Sequence, residues 1–461
     1  MPFERQSQKL LSEGLNLLPP PDMIGEGEAE KCVNWRPDQA GKLLARAGCK
    51  LLVGGLGDWI HTIAHVESPP AAGGYVGADT KLWNYWAEGA VREVKDAITG
   101  AIVAFDGDFL GWASYQGSLW AMNKLLQGRV VGDTMYKWLP DPPPKPAVVP
   151  SDGVLSGTCS WYVTYVTARG YESNPSPATD ELTLAGVPGN QYPAGPAGGG
   201  TLTIPACDDP QVIGFNVYRL GGLLPVPYQV LSYLWPDWTV NPWDRTERTF
   251  YDEGIWYDGE IQHWPDAPYL MERGVVMEDD HDPPPAAFGL AGPYFERLLA
   301  FNSVLHPNRV WYTPSMMPWY FRGSASDDGD WFDVGEEAEP IYAVSVKPHM
   351  CLIYKAHSIW RLLGDPEDGQ LEQLTSHAGL RGPRAFAPHG VVDYILANEG
   401  LHLVGGDRLY KITDKIDPIF KGQTSGIARP TKPMDATAAA AYSSVMAIKN
   451  DRLYFSYPEA A

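Results

Sequence analysis

Residues 391–411 read Val-Val-Asp-Tyr-Ile-Leu-Ala-Asn-Glu-Gly-Leu-His-Leu-Val-Gly-Gly-Asp-Arg-Leu-Tyr-Lys. Large apolar side chains recur near every second position, and breaks that contain Gly divide the stretch into three short runs. Alternation with a period of two is typical of half-buried β-strands, and Gly, Asn and Asp at the breaks favour tight hairpin turns. The stretch therefore predicts consecutive antiparallel strands.

The same hairpin element recurs elsewhere in the chain as a polar or Gly turn, usually an Arg, and then alternating large apolar residues. The copies are Gln116–Trp120, Glu296–Leu299, Asn308–Tyr312, Asp407–Tyr410 and Asn450–Tyr454. A turn–strand rhythm sustained over about 170 residues is typical of the blades of a β-propeller or a related radial β-fold. An ordinary β-sandwich with similar hairpins is the alternative.

The composition also favours many short strands. Of the 461 residues, 44% are hydrophobic and 12% are aromatic, while Gly and Pro contribute 48 and 42 residues. Aromatic residues favour strands, and frequent Gly and Pro break helices, so we predict an all-β fold. One helix is predicted over Trp86–Ile98, where apolar residues fall at helical spacing and Gly100 follows.

Two proline-rich segments predict the domain boundaries. Residues 139–150 form a stiff Pro-rich linker, and residues 271–288 form an acidic Pro-rich linker. Between them, residues 151–270 contain about six short alternating strands, which predicts an inserted immunoglobulin-like or fibronectin type III-like β-sandwich. Residues 1–138 and 289–461 are then the N-terminal and C-terminal parts of a β-propeller-like body.

The charge argues against a groove that binds nucleic acid tightly. The formal net charge is −21 and is spread along the chain, whereas such grooves are basic. An acidic wall would let DNA pass without being trapped, although solubility is the simpler reason for the charge. No apolar run of about 18 residues occurs, so we expect no membrane-spanning segment.

No residue pattern predicts a catalytic centre. The five cysteines are widely spaced without a CxxC pair, which favours buried thiols in a reducing compartment. His61 and His65 have the spacing of a helical metal pair, but the Glu of an H-E-x-x-H motif is missing. The carboxylates of residues 278–282 lack EF-hand spacing, so a solvated acidic linker is favoured over a calcium site. Two of the acids Glu336, Glu337 and Glu339 would need a defined separation to act as a glycosidase pair. We therefore expect a non-enzymatic protein without cofactor or metal.

Four tryptophans and two arginines are the candidates for contacts with other proteins. They are Trp235, Trp238, Trp243, Trp256, Arg309 and Arg408. The tryptophans crowd one turn-rich stretch that a small sandwich core cannot bury completely, and surface aromatics favour a protein interface, with stacking on sugar rings as the alternative. Each arginine could clamp a carboxylate of a neighbouring subunit, with a salt bridge inside its own sheet as the alternative.

Several phrases of the sequence, taken in order, are similar to those of a known family. They are Cys32–Asp38, Tyr115–Met122, Tyr162–Pro177, Asn216–Arg219, Trp331–Gly335, Ile353–Arg361 and Gly400–Asp414. In this order the chain resembles the β-propeller tail proteins of short-tailed bacteriophages, the tail nozzle or tail hub below the head–tail connector. The resemblance covers residues 14–420.

The resemblance implies a virion protein of a phage tail, made in the cytoplasm of the bacterial host. Its implied partners are further copies of itself in a hexameric ring, head–tail adaptor or connector proteins, and tail fibres. Genomic DNA would pass through the ring during ejection without sequence-specific binding. The alternative function is a propeller that binds or hydrolyses host glycans, as a receptor-binding or tailspike-like protein does.

Overall fold

A computed structural model gives the structure of the chain, which divides into two compact units. Unit 1 comprises Met1–Leu56, Ala287–Val310 and Trp331–Ala461, and unit 2 comprises Gly57–Ala286 and Trp311–Asp330. The residues that the structure describes are 14–15, 28–29, 35–37, 43–45, 56, 60–66, 73–87, 90–105, 110–186, 195–234, 248–252, 256–258, 261–263, 274–324, 329–414, 417–420, 434–435, 437, 444–449 and 452–458. The finer domain boundaries at 139–150 and 271–288 stay a prediction.

The first strands of the chain form small sheets and then one four-stranded meander. The strands are β1 (Gly14–Leu15), β2 (Glu28–Ala29), β3 (Trp35–Pro37), β4 (Leu43–Ala45), β5 (Ile60–Val66), β6 (Gly73–Ala78), β7 (Lys81–Ala87) and β8 (Ala90–Glu93). Strand β1 pairs with β2, β3 pairs with β4, and the meander has the order β5-β6-β7-β8. Each pair in the meander is antiparallel.

The next sheet of unit 2 packs against this meander. Its strands are β9 (Lys95–Asp96), β10 (Gly111–Tyr115), β11 (Ser118–Met122), β12 (Gln127–Val131) and β13 (Thr134–Tyr136). They have the order β10-β11-β12-β13-β9, in which β9 is parallel to β13. Tyr75 and Leu82 of the meander share one buried cluster with Leu119 and Val130 of this sheet. Apolar burial between the two sheets therefore supplies a core for this part of unit 2.

The helix predicted over Trp86–Ile98 is wrong, because the stretch forms the end of β7, then β8 and β9. Val94 donates its backbone N–H to Leu82 O at 2.9 Å, a partner that a helix would not give it. Asp96 Oδ1 accepts the backbone N–H groups of Ile98 and Thr99, which fixes a turn. Tertiary pairing and this turn outweigh apolar spacing that also fits a helix.

A two-sheet sandwich follows in unit 2. Its strands are β14 (Ala147–Gly153), β15 (Ser156–Thr167), β16 (Leu182–Ala185), β17 (Gly195–Ile204), β18 (Val212–Gly221), β19 (Leu224–Leu234) and β20 (Arg248–Asp252). One sheet has the order β14-β17-β20 and the other β16-β15-β18-β19. Trp161 of β15 and Leu202 of β17, both fully buried, lie in one core cluster between them. A Cβ atom at Gly200 would come within 2.8 Å of the Trp161 ring, so this face of β17 needs a glycine there.

The segment after β15 folds back along that strand and bonds it through hydroxyl groups. The backbone N–H groups of Trp161, Val163 and Tyr165 donate to the side-chain oxygens of three hydroxyl residues. These residues are Thr179, Ser176 and Ser173, and their own backbone N–H groups donate to the carbonyls of the same three β15 residues. Their spacing of three residues is that of a polyproline II helix. We call residues 173–179 the hydroxyl seam.

Short strands and a further four-stranded sheet come next. The strands are β21 (Trp256–Asp258), β22 (Ile261–His263), β23 (His281–Asp282), β24 (Ala287–Tyr294), β25 (Arg297–Ser303), β26 (Arg309–Tyr312), β27 (Phe321–Arg322) and β28 (Trp331–Asp333). Strand β21 pairs with β22, β23 pairs with β27, and the sheet has the order β24-β25-β26-β28.

Unit 1 contains two further antiparallel meanders and a terminal hairpin. The elements are β29 (Ile341–Val346), β30 (Met350–Lys355), β31 (Ile359–Leu363), β32 (Gln370–Thr375), β33 (Phe386–His389), β34 (Val392–Ala397), β35 (Gly400–Gly405), β36 (Arg408–Lys411), α1 (Asp417–Phe420), β37 (Val445–Lys449) and β38 (Arg452–Ser456). Strands β29 to β32 and β33 to β36 pair in chain order, and β37 pairs with β38. Leu352 and Tyr354 of the first meander share a buried cluster with Ile395 and Leu401 of the second.

The fold is all-β, as predicted, with propeller-like four-stranded meanders and an immunoglobulin-like two-sheet sandwich. Within the described ranges, the single turn α1 is the one α-helix. The strands predicted in residues 391–411 are β34, β35 and β36, paired antiparallel. None of the helices in the described part of the chain has the length and apolarity to cross a bilayer.

Candidate functional site

Arg309, one of the predicted interface residues, lies at the start of β26 and is 6% exposed. Its Nε donates to Asp333 Oδ1 at 2.8 Å, and its Nη2 donates to Oδ2 at 3.3 Å. The guanidinium carbon lies 3.4 Å from the centroid of the Trp331 ring, which is a cation–π contact. The charge is therefore engaged by two residues of the same unit, and a role of Arg309 between subunits stays a prediction.

Arg408 has the opposite environment, because it begins the outer strand β36 and 69% of its side chain is exposed. Its Nη1 lies 3.3 Å from the Tyr410 hydroxyl, which can accept from it, and its Nε lies 3.7 Å from Asp407 Oδ2. Exposed contacts of this kind contribute little to stability, and they can be exchanged for a carboxylate of another protein. The predicted interface role of Arg408 remains to be tested.

The arginine that recurs in the hairpin element does not keep one environment. Arg297 is buried at the start of β25, where it lies 3.0 Å from Asp365 and 2.7 Å from Glu367. Arg309 is also buried, whereas Arg408 faces solvent. A shared position in a turn–strand phrase therefore does not give a shared role.

The tryptophan-rich stretch falls mostly outside the described residues. Trp235, Trp238 and Trp243 lie outside them, and Trp256 begins β21, whose pairing with β22 is described while its indole is not. The prediction that these tryptophans form an interface stays a prediction.

The two other sequence patterns that suggest chemistry are placed as follows. His61 and His65 lie on strand β5, so the helical spacing of a metal pair does not apply. Residues four apart on a strand are separated by roughly 13 Å. The Glu339 carboxylate accepts from the backbone N–H of His357 at 2.5 Å and from the Ser358 hydroxyl at 2.9 Å, so it anchors the β30–β31 turn.

A buried ionic cluster that the sequence did not predict joins the two sheets of the sandwich. Arg219 of β18 places Nη1 2.8 and 2.7 Å from the two carboxylate oxygens of Asp252 in β20. The Trp161 indole N–H donates to Asp252 Oδ2 at 2.8 Å. Both charged side chains are 5% exposed, so the guanidinium compensates the charge of this carboxylate, and the indole N–H supplies a further hydrogen bond.

A second buried cluster joins the two meanders of unit 1. Lys347 Nζ, just after β29, donates to Asp393 Oδ1 of β34 at 2.5 Å, and the Tyr354 hydroxyl of β30 donates to Oδ2 at 2.7 Å. The side chains of Lys347 and Asp393 are 3% and 0% exposed. Burial, and then the charge and hydrogen bond of Asp393, raise the pKa of Tyr354 well above its usual value, so the phenol stays a donor. The sequence does indicate that Asp393 is buried. It lies two residues before the buried Ile395 on β34, so the two side chains are on the same face of the strand.

A third polar cluster lies beside the hydroxyl seam. The Glu172 Oε1 atom accepts from the Tyr218 hydroxyl at 2.6 Å, from Asn216 Nδ2 at 3.0 Å and from the Thr164 hydroxyl. Burial and the nearby Glu172 charge raise the pKa of Tyr218 above its usual value. These contacts hold the neighbouring strands β15 and β18 together at one carboxylate.

Among the residues that the structure describes, one group offers donor atoms close enough to hold a metal ion. Glu278, Asp280 and His281 each place one possible ligand atom within 4.8 Å of the others. The segment that contains them is only partly solvated, because His281 and Asp282 form β23 and are 7% and 9% exposed.

Comparison with known proteins assigns no family. The sequence matches no protein-family model, and it matches no curated protein. Among solved structures, the chain is similar to the extracellular domain of a one-component system from B. thetaiotaomicron, with 10% identity and a TM-score of 0.26 over 78% of this chain. The chain covers 34% of that protein, about a third of its length.

Two other solved structures are similar at the same low level. Apo AztD from Citrobacter koseri has 9% identity and a TM-score of 0.25, with 76% of this chain and 84% of that chain covered. The β-propeller domain of Cps50 (Swd1) from Myceliophteria thermophila has 9% identity and a TM-score of 0.27 over the same shares. Scores this low carry no argument about function, so the fold assignment rests on the strand pairing itself.

Proposed function

We propose that this chain is a structural subunit of a bacteriophage tail, a nozzle or hub ring below the head–tail connector. In this role the ring extends the channel for DNA ejection, offers a platform for tail fibres, and carries out no chemistry of its own. The proposal starts from the ordered sequence phrases that resemble the tail proteins of short-tailed phages, which span most of the chain.

The observation that carries the proposal is how the buried charges are used. The pairs Arg219–Asp252 and Lys347–Asp393 are almost fully buried, whereas in the pair Arg309–Asp333 the arginine is buried and the carboxylate is 42% exposed. Each pair joins residues of different strands or of the turn beside a strand, and each is contacted by an aromatic side chain. Such pairs fix the geometry of neighbouring strands, and breaking one is costly because it leaves a buried charge without a partner. Rigid sheets of this kind suit a subunit whose task is to keep a fixed shape in an assembly.

The net charge supports the second part of the proposal, the passage of DNA. A formal charge of −21 repels the phosphate backbone over the distance of a Debye length, about 8–10 Å at ordinary ionic strength. A channel lined by such a protein would not form the many Lys and Arg contacts to phosphate that make DNA stick. DNA could then slide through without a binding trap.

The test is the assembly state of the purified full-length chain, measured by sedimentation and by negative-stain electron microscopy over a wide concentration range. We expect closed rings with a central opening. Monomers at every concentration, both alone and after mixing with a head–tail connector, would contradict the proposal. Turnover or specific binding in a screen of host polysaccharides would instead support the glycan-directed alternative.

A further inference from the structure

One asparagine holds strand β23 in place within unit 2. The backbone N–H of His281 donates to Asn174 Oδ1 at 2.8 Å, and Asn174 Nδ2 donates to Asp282 Oδ1 at 3.1 Å. Strand β23 also pairs with β27, with His281 opposite Arg322. The backbone of this acidic segment is therefore fixed at the position of its histidine.

The imidazole of His281 is held by packing and points at two carboxylates. The residue is 7% exposed, and the centroid of its ring lies 4.4 Å from that of Tyr320. Its Nε2 lies 3.0 Å from Glu278 Oε2, and its buried Nδ1 has no hydrogen-bond partner. The one hydrogen bond of this ring is thus inside the group formed by Glu278, Asp280 and His281, which we call the 278–281 cluster.

We propose that the 278–281 cluster is a binding site for a divalent transition-metal ion of the Zn²⁺ class. One imidazole nitrogen and two carboxylate oxygens lie within 4.8 Å of one another. Ligand distances of about 2.0–2.2 Å are typical for Zn²⁺, so small side-chain movements suffice to bring the three atoms onto one ion. The Glu278 side chain is 62% exposed and free to rotate toward the ion, and water completes the coordination.

The ligand types distinguish Zn²⁺ from Ca²⁺. Imidazole suits Zn²⁺ and its first-row neighbours, whereas Ca²⁺ requires roughly 6–8 oxygen ligands. The cluster offers two carboxylates and one well-placed nitrogen, with all three residues on one short segment of the chain. Calcium binding, considered from the sequence for residues 278–282, is therefore the weaker fit to this geometry.

Two features of the surroundings set the affinity. Arg322 Nε lies 3.3 Å from Asp280 Oδ2, so its positive charge competes with the metal for this carboxylate. A metal on Nε2 leaves the proton on Nδ1, and metal-bound histidines normally donate that proton to an acceptor. Because Nδ1 has no hydrogen-bond partner, we expect Zn²⁺ to bind roughly 10–100-fold more weakly than at a site whose histidine donates its second ring N–H to an acceptor.

The test uses the full-length chain after treatment with a chelator. Isothermal titration calorimetry with Zn²⁺ measures affinity and stoichiometry, and Co²⁺ reports a nitrogen-containing site through its visible absorption. We expect one site per chain that is weakened at least tenfold in Glu278→Gln and in His281→Gln. The matched control is Asp279→Asn, because Asp279 is exposed, lies on the same segment and is not a ligand. We expect this variant to bind as the parent does.

A fourth variant tests the competition by Arg322. Arg322→Gln removes the positive charge beside Asp280. We expect this variant to bind Zn²⁺ more tightly at the single site, without adding further sites of the kind that nonspecific attraction to an acidic surface would give. Glu278 is mostly exposed, so Glu278→Gln reports on binding even if His281→Gln folds poorly. The proposal is overturned if no stoichiometric Zn²⁺ binding occurs, or if binding is the same in Glu278→Gln, Asp279→Asn and the parent. The site is independent of the proposed role in a phage tail.

Discussion

The contribution of a charged residue to the stability of this protein depends on whether its ion pair is buried or exposed. Lys347 and Asp393 are almost completely buried and bond each other, whereas Lys145 and Asp180 form a pair whose side chains are 47% and 87% exposed. Removing one partner of a buried pair leaves a charge without solvent or counterion. Removing one partner of an exposed pair lets water replace it. The same chemical pair therefore has very different consequences at the two positions.

The first prediction compares these two pairs. Lys347→Met leaves Asp393 buried without its cation, and we expect the free energy of unfolding to fall by about 3–5 kcal/mol. Lys145→Met serves as the matched control, with an expected loss below about 1 kcal/mol. Urea unfolding followed by circular dichroism measures both. Equal effects of the two substitutions would show that the buried pair adds no stability.

The second prediction concerns Tyr75, which donates to Gly132 O at 3.0 Å. Burial, with a smaller contribution from the nearby Asp133 charge, raises the pKa of Tyr75 from 10.0 to about 12. Between these values the folded chain keeps a proton that the unfolded chain loses. The contribution of Tyr75 to stability is therefore complete below pH 10 and is lost as pH rises toward 12.

The measurement is the unfolding free energy across this alkaline window for the parent and for Tyr75→Phe. One retained proton corresponds to a slope of about 1.4 kcal/mol per pH unit at most. The variant should fall less steeply by up to that amount, while other buried tyrosines give both proteins a common slope. Identical slopes would mean that Tyr75 ionises at its ordinary pKa in the folded chain.

The candidate interface and polar sites could be predicted only in part at this scale. Arg309 and Arg408 occupy similar positions in the hairpin element, and nothing local to the phrases indicates that only the first is buried. Asp393 is different, since its alternation with the buried Ile395 and Ala397 places it on the inward face of β34. Its partner Lys347 comes from a separate meander. The sequence therefore indicates a buried carboxylate and does not indicate what neutralises it.

Among the elements, the hydroxyl seam shows how a segment without strand pairing can complete a sheet. Pro175 and Pro177 lack an N–H group, so this stretch cannot form a regular strand ladder. Ser173, Ser176 and Thr179 instead accept from β15 through their side chains. The prolines are thus interspersed with residues that accept from β15 through a side-chain oxygen and donate to it through their backbone N–H.

The third prediction tests the middle contact of the seam. Ser176 is 3% exposed, and its hydroxyl oxygen accepts the Val163 N–H at 3.0 Å. Ser176→Ala leaves this buried N–H without an acceptor, so we expect a loss of about 1–3 kcal/mol in unfolding free energy. Ser156→Ala, at an exposed position of the same strand, should change stability by less than about 0.5 kcal/mol. A similar small change for both would rule out a stabilising role of the hydroxyl.

Element type was predictable where local pattern and tertiary pairing agree. Residues 391–411 alternate cleanly, and their turns contain Gly and Asp, so the strands of the last meander follow from sequence. Residues 86–98 carry apolar spacing that fits both a helix and short strands. There the outcome depends on partners distant in sequence, such as the carbonyl of Leu82 for the N–H of Val94. Periodicity alone has no information about those partners.

For the whole molecule, net charge governs association more than fold. A chain with a charge of −21 repels its own copies at low ionic strength, and added salt screens that repulsion. Several strongly exposed apolar side chains lie in turns, among them Leu125 and Leu223 in unit 2 and Leu305 and Val391 in unit 1. Apolar contacts do not weaken with salt as ionic contacts do.

The fourth prediction follows from the proposed ring. Because copies of like charge must approach, we expect self-association to strengthen as sodium chloride is raised from about 0.05 to 0.5 M, a range over which the Debye length shortens severalfold. Sedimentation velocity at fixed protein concentration measures this. Dissociation on adding salt would indicate an interface made mainly of ion pairs, contrary to the prediction. Duplex DNA should not be retained in a gel-shift experiment at any of these salt concentrations.

The hydroxyl seam also has a consequence during biosynthesis. Strand β15 is twelve residues long and contains one Trp, two Tyr, two Val and three Thr, a composition with high β-propensity that favours amyloid-like stacking between nascent chains. Five residues separate the end of β15 from the seam, so the seam leaves the ribosome soon after the strand that it covers. Because the seam occupies the edge of β15 and has few unpaired N–H groups of its own, a second chain cannot add a strand there. A variant whose seam hydroxyls are replaced by alanine is therefore expected to show a larger fraction in inclusion bodies than the parent when both are expressed under the same conditions.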